Sequence, residues 1–228
     1  MMNSQLDFTF NETYISKFLK DLKAPNRISM CHEKFINSAI AFLIIPNNPK
    51  PYELILIKRA KIKGDRHSGE MSFPGGKFDE KQDKDPIDTA LRELEEEIGI
   101  SREKVNVLGC LDDHITPKGY IITPIVCHVS NKEKMVKQDT EVKEIINVPI
   151  TFFANEQNYK ERTYKIKQDL IAVGKYVYYD SDGKKYVIFG ATSHIIVSFL
   201  KDVYNINLMT KGARRIKCED IENRIIMK

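Results

Sequence analysis

The amino-acid sequence predicts a mixed α/β sandwich built around one β-sheet. Apolar segments of strand length recur along the chain with turn-forming residues between them, and only a few segments show helical periodicity. The 228 residues, 42% of them hydrophobic, suit one large domain or one domain with extensions. Strands interleaved with a few helices are typical of such a layered sandwich.

The first elements predicted are a helix and a strand pair. Apolar residues recur at helical spacing in residues 13–22, with Asn11 as a possible cap and Pro25 as the end of the segment. Ser38–Ile45 and Leu54–Lys58 are continuous apolar runs and are predicted to be buried strands. The sequence NNPKP between them predicts a hairpin-like connection.

The middle of the chain is predicted to contain three further strands. They span Val105–Leu111, Tyr120–Val129 and Glu141–Val148. Thr123-Pro124 within the second of them predicts a bend or an edge position, because proline cannot donate to a sheet ladder. Asn155–Gln168 is polar without a clear period, which predicts a loop or a lid.

The last third of the chain is predicted to contain a hairpin and a helix. Tyr176–Asp180 and Lys185–Phe189 flank the turn sequence SDG. Thr192–Leu200 has the spacing of an amphipathic helix. The basic tail from Lys211 is predicted to be a further helix or a mobile segment.

The best-specified element is the helix that follows Asp85. Asp85 is a good N-cap residue, and Pro86 suits the first helical position because its fixed φ needs no N–H partner. Gly99 is placed to end the helix in a left-handed conformation.

This helix carries an acidic face. Glu93, Glu96 and Glu97 stand at i, i+3 and i+4, where like charges repel by about 0.2–0.5 kcal/mol per pair. They also lie in the second half of the helix, where the macrodipole disfavours anions. An ordinary solvated face is the alternative, but Arg92 is the only nearby cation and no lysine is interleaved. The pattern therefore favours a bound hard divalent cation.

The composition limits the partners and the compartment. The net charge of +4, from 36 basic and 32 acidic residues, does not indicate nucleic-acid binding but would suit an anionic small substrate. No apolar run approaches the about 20 residues of a membrane span, and the first residues do not resemble a secretory signal. We therefore expect no membrane partner and a cytoplasmic location. The four widely spaced cysteines predict reduced thiols, and a zinc site with His32 or His128 lacks the expected spacing.

Gly75-Gly76 followed by the segment from Arg92 to Ile100 resembles the Nudix box, G-x5-E-x7-R-E-U-x-E-E-x-G-U, where U is aliphatic. The second half of the box matches at every fixed position. The first half is two residues longer than the pattern, and Lys84 stands where the first glutamate is expected. The nearby acids that could replace that glutamate are Asp79, Glu80, Asp83 and Asp85.

Further segments resemble coenzyme A pyrophosphatases within that family. The upstream match runs over Leu56–Ala60 and then Arg66–Gly76, with one extra residue between Arg59 and Gly69. Three later matches are Thr116–Pro124, Glu141–Glu144 ahead of Val148-Pro149, and Ile188–Thr192. The resemblance spans about residues 38–200. It implies a Nudix-type α/β/α sandwich around a mixed β-sheet, in a hydrolase domain over 38–204, with an N-terminal helical extension over 1–37 and a basic tail over 205–228.

The resemblance also implies a cofactor, Mg²⁺ or Mn²⁺, and a set of site residues. Their implied roles are metal binding by Glu96, Glu97, Glu93 and the carbonyl of Gly75, bracing of the carboxylates by Arg92, activation of water by Glu93, and a base or ligand role for Glu141. Arg59 and Arg66, in a basic loop, and Gly76 are the implied substrate contacts, since arginine suits phosphate recognition.

The activity implied is hydrolysis of the diphosphate bond of coenzyme A or its derivatives, which gives 4′-phosphopantetheine and 3′,5′-ADP. The same chemistry on ADP-ribose, dinucleotides or nucleoside triphosphates is the alternative. A Nudix-fold binding module without turnover is a third hypothesis. Family members are often dimers, so a homodimer is one expectation.

Overall fold

The computed structural model describes residues 6–61, 68–130, 132–166 and 168–225. Its helices are α1 (Glu12–Ser16), α2 (Pro86–Ile98), α3 (Ile150–Ala154), α4 (Ala191–Tyr204) and α5 (Cys218–Ile225). The strands of the main sheet are β1 (Ile36–Asn47), β2 (Lys50–Arg59), β3 (Met71–Ser72), β4 (Gly75–Lys77), β5 (Asn106–Cys110), β6 (His114–Ile115), β7 (Tyr120–His128) and β8 (Val142–Pro149). A second sheet contains β9 (Tyr159–Ile166), β10 (Asp169–Tyr179), β11 (Lys185–Phe189) and β12 (Ala213–Arg214).

The main sheet is mixed, as predicted. Its central strands follow the order β3-β2-β1-β7-β5, with β4 beside β1, β6 beside β7 and β8 beside β2. The pairing of β1 with β7 is parallel, whereas β1 pairs with β2 and β4 in the antiparallel sense. This topology places the short strand β4 and the short strand β6 on opposite sides of the β1–β7 pair.

The sheet is buried on both faces along the continuous apolar runs of its central strands β1 and β2. In β1, Ala39, Ala41 and Leu43 pack in one core cluster with residues of α2. The alternate residues Phe42 and Ile44 pack in a second cluster with α4 and the second sheet. Successive side chains of a strand point to opposite faces, so a continuous apolar run is what a sheet covered on both sides requires. The predicted α/β/α sandwich is confirmed.

The second sheet was not predicted, and one loop prediction was wrong. Asn155–Gln168, predicted as a loop or a lid, contains a 3₁₀ turn over Glu156–Asn158 and the strand β9. Most side chains of β9 are exposed, so the segment lacks the alternation that normally marks a strand. Its antiparallel pairing with β10 over eight residues makes it a strand.

The N-terminal helix is shorter than predicted. The side chain of Asn11 caps α1 by accepting from the N–H of Tyr14, but the helix ends at Ser16 and not near Leu22. Beyond it, Lys20 exchanges two backbone hydrogen bonds with Cys110, at 3.1 and 2.8 Å. This tertiary pairing replaces the helical bonds that the apolar spacing predicted.

The strand that contains Pro124 lies inside the sheet and not at its edge. One neighbour of β7 is β1, and on the other side the pairing passes from β6 to β5. That change occurs opposite Thr123 and Pro124, between the residues that pair with β6 and those that pair with β5. The missing N–H of proline therefore falls where the ladder is already interrupted.

The C-terminal residues join the rest of the fold. Ala213 and Arg214 pair with Leu170 and Ile171 of β10, and α5 follows. Ile216 packs on a small core cluster that includes Ile115. The division of the chain at residues 37/38 and 204/205 stays a prediction.

Two further observations concern the helices and the cysteines. Among the described residues, no helix is long and apolar enough to span a membrane. The cysteines are free thiols: Cys110 and Cys127 are buried, Cys31 is exposed and Cys218 is partly buried.

Candidate functional site

The acidic face of α2 lies against Gly75 and Gly76 of the strand β4. The side chain of Asp85 caps the helix by accepting from the N–H groups of Ile87 and Asp88, and Gly99 ends it with φ 71°, as predicted. Because β4 is paired with β1 and α2 packs on β1, β4 and the helix are held side by side. The site is therefore positioned by the most regular part of the fold.

Glu97 is the most buried carboxylate of the site. Its side chain is 1% exposed, and Oε2 accepts a hydrogen bond of 2.9 Å from the N–H of Gly75. Oε1 lies 3.8 Å from Nη1 of Arg59. Burial raises the pKa of Glu97 to about 8, and the neighbouring charges of Glu93 and Glu141 also raise it.

Glu93 lies directly over Gly76. A Cβ atom at position 76 would collide with the Glu93 carboxylate, so only glycine leaves that space open. Burial raises the pKa of Glu93, while the hydrogen bond from Arg92 lowers it. Glu96, by contrast, is largely exposed and turns its Oε2 towards Arg92.

Arg92 holds several acids at once. It donates from Nη1 to Glu93 Oε1 at 2.8 Å and to Glu96 Oε2 at 3.0 Å. Nε and Nη2 form a two-pronged contact with Asp83 at 2.9 and 3.0 Å, and Nη2 also donates to the carbonyl of Lys77 at 3.0 Å. A bracing role would use these hydrogen bonds, and the role itself stays a prediction.

Of the four acids that could replace the missing glutamate, Asp83 is the one that contacts Arg92. Its side chain is 1% exposed, and it also accepts from Thr89 Oγ1 and from the N–H of Asp79. The hydrogen bonds from Arg92 lower the pKa of Asp83 to about 2. Asp79 instead accepts from Lys81 and Gln82 in its own turn, Asp85 caps α2 and Glu80 is exposed.

The other predicted residues lie around this cluster or outside the described chain. Glu141 is exposed just before β8. Its negative charge adds to the effect of burial in raising the pKa values of Glu93 and Glu97. Arg59 ends β2 and faces Glu97. Arg66 lies outside the residues that the structure describes.

A cleft of about 620 Å³ opens beside the acids. Gly75, Gly76 and Arg59 line one end of it. The rest of the cleft wall was not predicted from the sequence. It comes from segments that are far apart along the chain: β3, β6, the turn that follows β6, β10 and the start of α4. No local pattern signals that such segments converge, although the matched Thr116–Pro124 segment contributes to the wall.

The residues present fit a divalent cation. Burial removes the Glu97 carboxyl group from water. The contacts that offset this cost are the hydrogen bond from the Gly75 N–H and the Arg59 guanidinium, whose Nη1 lies 3.8 Å away. Glu93, Glu96 and the Gly75 carbonyl add oxygen donors, the ligand type that Mg²⁺ prefers. In the described part of the chain no group of three acids, histidines or cysteines has the geometry of a metal site. Arg92 bonds to one oxygen of Glu93 and to one of Glu96.

Comparison with known proteins identifies the family of this chain. The model of the NUDIX domain family matches residues 37–170. A protein of Photorhabdus laumondii named "Uncharacterized Nudix hydrolase NudL" is 32% identical over 73% of this chain and 86% of its own length. A protein of the same name from Yersinia enterocolitica is 35% identical over 64% of this chain and 71% of its own length. The solved structure of a MutT/nudix family protein from Enterococcus faecalis is 18% identical, covers 78% of this chain and 66% of its own, and has a TM-score of 0.47.

The family model covers more than half of the chain, and it contains both the acidic helix and Gly75-Gly76. The chain therefore belongs to the Nudix family and is a Nudix hydrolase, an enzyme that acts on phosphorus-containing anhydrides.

Proposed function

We propose that this protein hydrolyses the diphosphate bond of coenzyme A or its derivatives and releases 4′-phosphopantetheine and 3′,5′-ADP. The observation that carries the proposal is the arrangement of the cleft: the acids and Arg59 stand at one end, and much of the remaining wall is apolar. Such a cleft fits a molecule that joins a diphosphate to a long uncharged arm. The sequence resemblance to coenzyme A pyrophosphatases supports the same substrate.

Four groups would hold the divalent cation. They are the carboxylates of Glu96, Glu97 and Glu93 and the carbonyl of Gly75, a residue whose N–H bonds to Glu97. When bound there, Mg²⁺ or Mn²⁺ supplies stabilisation of the negative charge that develops on the phosphoryl oxygens.

The remaining groups orient the reaction. Arg92 is a positioning residue that fixes Glu93 and Glu96. Glu93 or Glu141 accepts the proton of the attacking water. Glu93 has the raised pKa of a candidate base, and Glu141 has an exposed carboxylate close to it.

Arg59 and Gly76 are the proposed contacts to the diphosphate. Arg59 is 27% exposed and faces both Glu97 and the cleft, so its guanidinium can reach phosphate oxygens near the cation. Gly76 lines the cleft, and its lack of a side chain leaves room for the Glu93 carboxylate beside the proposed diphosphate position. Arg66 is proposed as a further phosphate contact from sequence alone.

A substrate panel tests the proposal. The protein is incubated with Mg²⁺ or Mn²⁺ and, in separate reactions, coenzyme A, ADP-ribose, a dinucleoside polyphosphate and a nucleoside triphosphate, and products are separated by ion-exchange chromatography. We expect 3′,5′-ADP from coenzyme A at the highest kcat/KM, and its loss in Glu97→Gln. Turnover of the other compounds but not coenzyme A would refute the substrate. Binding without any turnover would indicate a binding module.

The homodimer, the cytoplasmic location and the absence of a nucleic-acid partner stay predictions. Light scattering on the purified chain measures the first directly. A mass of 26.4 kDa would identify a monomer, and twice that mass a dimer.

A further inference from the structure

The second sheet ends on one side in β9, and the outer edge of that strand is open. β9 pairs with β10 along its eight residues, and no other described residue bonds to the backbone of residues 160–166. An edge strand presents a row of N–H and C=O groups that can pair with a further strand. β9 is long for an edge, because strands of five or six residues are the most common.

The register of β9 with β10 shows which backbone groups face outward. Ile166 and Asp169 pair with each other at the closed end of the hairpin. Residues that flank so short a connection exchange both of their backbone hydrogen bonds. Along an antiparallel ladder, such pairs alternate with pairs that exchange none. Glu161, Thr163 and Lys165 therefore turn their N–H and C=O groups away from β10.

Gly174 of β10 supports this alternation independently. It stands opposite Glu161 in the ladder. Its N–H donates to Nε2 of His194 at 2.9 Å, and its carbonyl accepts from the N–H of Gly190 at 3.1 Å. Both groups of Gly174 thus point away from β9, as they must in a pair that exchanges no hydrogen bonds. The backbone of Glu161 accordingly points the other way, towards the open edge.

The side chains on one face of this edge carry charges of both signs. The Glu161 carboxylate is held in place, because it accepts from the Tyr159 hydroxyl at 2.7 Å and from the N–H of Thr210 at 2.8 Å. Lys165 lies four residues along the strand, on the same face of the sheet, and is exposed. Thr163 stands midway between the acid and the base. The edge therefore reads as acid, neutral residue, base, a pattern that is complementary to itself when reversed.

We propose that β9 pairs with β9 of a second copy of this chain, so that the second sheets of two molecules join into one. The two strands run antiparallel about a two-fold axis at Thr163, which stands opposite its own counterpart. Glu161 of each copy then stands opposite Lys165 of the other, which gives two complementary charge pairs. All three residues have outward-facing backbone groups, so they form hydrogen-bonded pairs across the axis. This inference does not depend on the proposed substrate.

The other face of the strand is complementary in the same register. Arg162 of each copy stands opposite Tyr164 of the other, and both side chains lie on the face opposite Glu161. Tyr164 is 52% exposed in the single chain, which is unusual for a large ring on a sheet. A guanidinium group next to an aromatic ring is a favourable contact. The pairing thus covers an exposed tyrosine with an arginine.

The charges of β9 also select this register against its neighbours. Charged side chains usually protect an edge strand from pairing. Moving the two-fold axis from Thr163 to Arg162 places two arginines opposite each other, and moving it to Glu161 does the same with two glutamates. Moving it to Tyr164 leaves Lys165 opposite Thr163, so both charge pairs are lost. The axis at Thr163 is the one among these that pairs opposite charges.

Sedimentation equilibrium tests the pairing. The contact is one strand edge and therefore small, so we expect association in the micromolar range. Wild type should shift from 26.4 kDa towards twice that mass as its concentration rises. Lys165→Glu turns both attractive pairs into repulsive ones and should raise the dimer dissociation constant at least about tenfold. Lys160→Glu is the matched control: it makes the same charge change on the same strand but faces Ile166 of the second copy. Its dissociation constant should stay within about threefold of wild type.

A mixing experiment separates the register from any loss of folding. In Glu161→Lys and in Lys165→Glu, all the charges at the two pairs have one sign, so each variant alone should be monomeric where wild type is dimeric. An equal mixture of the two variants restores opposite charges at both pairs. It should therefore form a heterodimer, with a dissociation constant within about tenfold of the wild-type value. A variant that failed to fold could not regain association in this way.

Hydrogen exchange locates the contact. The amides of residues 159–166 should exchange more slowly in wild type than in Lys165→Glu at the same concentration, because the outward N–H groups become bonded. Wild type that stays monomeric overturns the proposal and would leave the edge open to an extended peptide of another protein. A dimer that Lys165→Glu does not weaken, or that Lys160→Glu weakens equally, also overturns it. So does a mixture of the two charge variants that fails to associate.

Discussion

Replacing Asp83 by asparagine should loosen the whole acid cluster through Arg92. The carboxylate accepts both prongs of the guanidinium, and the side chain is 1% exposed. The fall of its pKa from 3.8 to about 2 corresponds to about 2 kcal/mol, and breaking a buried ion pair typically costs about 3–5 kcal/mol. Because Arg92 keeps Glu93 and Glu96 as partners, we expect unfolding to become easier by about 2–3 kcal/mol. For a chain of this size the midpoint should fall by about 5–10 °C.

The direction of the Asp83 pKa shift determines the pH at which the stability of the variant should be measured. A depressed carboxyl pKa stabilises the fold fully above pH 3.8, and the stabilisation is lost as pH falls through about 2, so measurements at pH 7 record the whole effect. The assay is thermal unfolding by circular dichroism, combined with a Mn²⁺ titration by calorimetry. Freed from Asp83, Arg92 competes more strongly for Glu93 and Glu96, so Mn²⁺ affinity should fall about tenfold or more.

Asp79→Asn is the matched control for Asp83→Asn. Asp79 lies in the same loop, and its carboxylate contacts Lys81 and Gln82 but not Arg92. It should shift the unfolding free energy by less than about 0.5 kcal/mol, as surface changes usually do. If the unfolding free energy of Asp83→Asn also lies within about 0.5 kcal/mol of wild type, and its Mn²⁺ affinity is unchanged, then Asp83 does not hold Arg92 in place for the acid cluster.

Three further predictions concern the site and its surroundings. Glu97→Gln replaces an acid whose charged form is disfavoured by burial, so without metal the variant should melt at or above the wild-type temperature. Mn²⁺ should raise the melting temperature of wild type only, and an equal Mn²⁺ shift in the variant contradicts the ligand role. Gly76→Ala drives a methyl group into the Glu93 carboxylate and should reduce kcat at least a hundredfold while costing less than about 1 kcal/mol of stability; near-normal rates show that this carboxylate can move freely. The pKa of His194 is about 4 because burial disfavours its charged form, so its contribution is present above pH 6.5 and is lost as pH falls towards 4. Between pH 7 and 4.5 the unfolding free energy, measured by urea denaturation, should therefore fall by about 2–3 kcal/mol more in wild type than in His194→Gln. An equal fall in the two proteins would show that His194 does not cause this pH dependence.

The sequence identified the parts of the fold that local signals specify. The helix α2 has a capping aspartate, a proline at its first turn and a glycine in the left-handed region at its end, and each of these acts within a few residues. The acid cluster could therefore be assigned to one helical face from residue spacing alone. The continuous apolar runs of β1 and β2 identified buried strands for the same reason.

Features that depend on distant partners were not predictable. β9 is largely exposed and exists as a strand because β10 pairs with it. Asp83 was one of four acids in a lengthened loop, and only the folded loop shows that it reaches Arg92. The part of the cleft wall that lies away from the acids combines residues that are far apart in the sequence. No local pattern in a single sequence shows that such residues meet.

The division of the cleft between two parts of the chain has a consequence for how such enzymes diversify. The groups proposed to carry out hydrolysis lie within residues 37–170, whereas part of the cleft wall, from Ile171 to Ile216, lies outside that segment. Substitutions in the later segment can reshape what is accepted without touching Glu93, Glu96 or Glu97. Relatives that share the acidic helix can thus diverge in substrate, and grafting residues 171–216 between them is a direct route to redesigned selectivity.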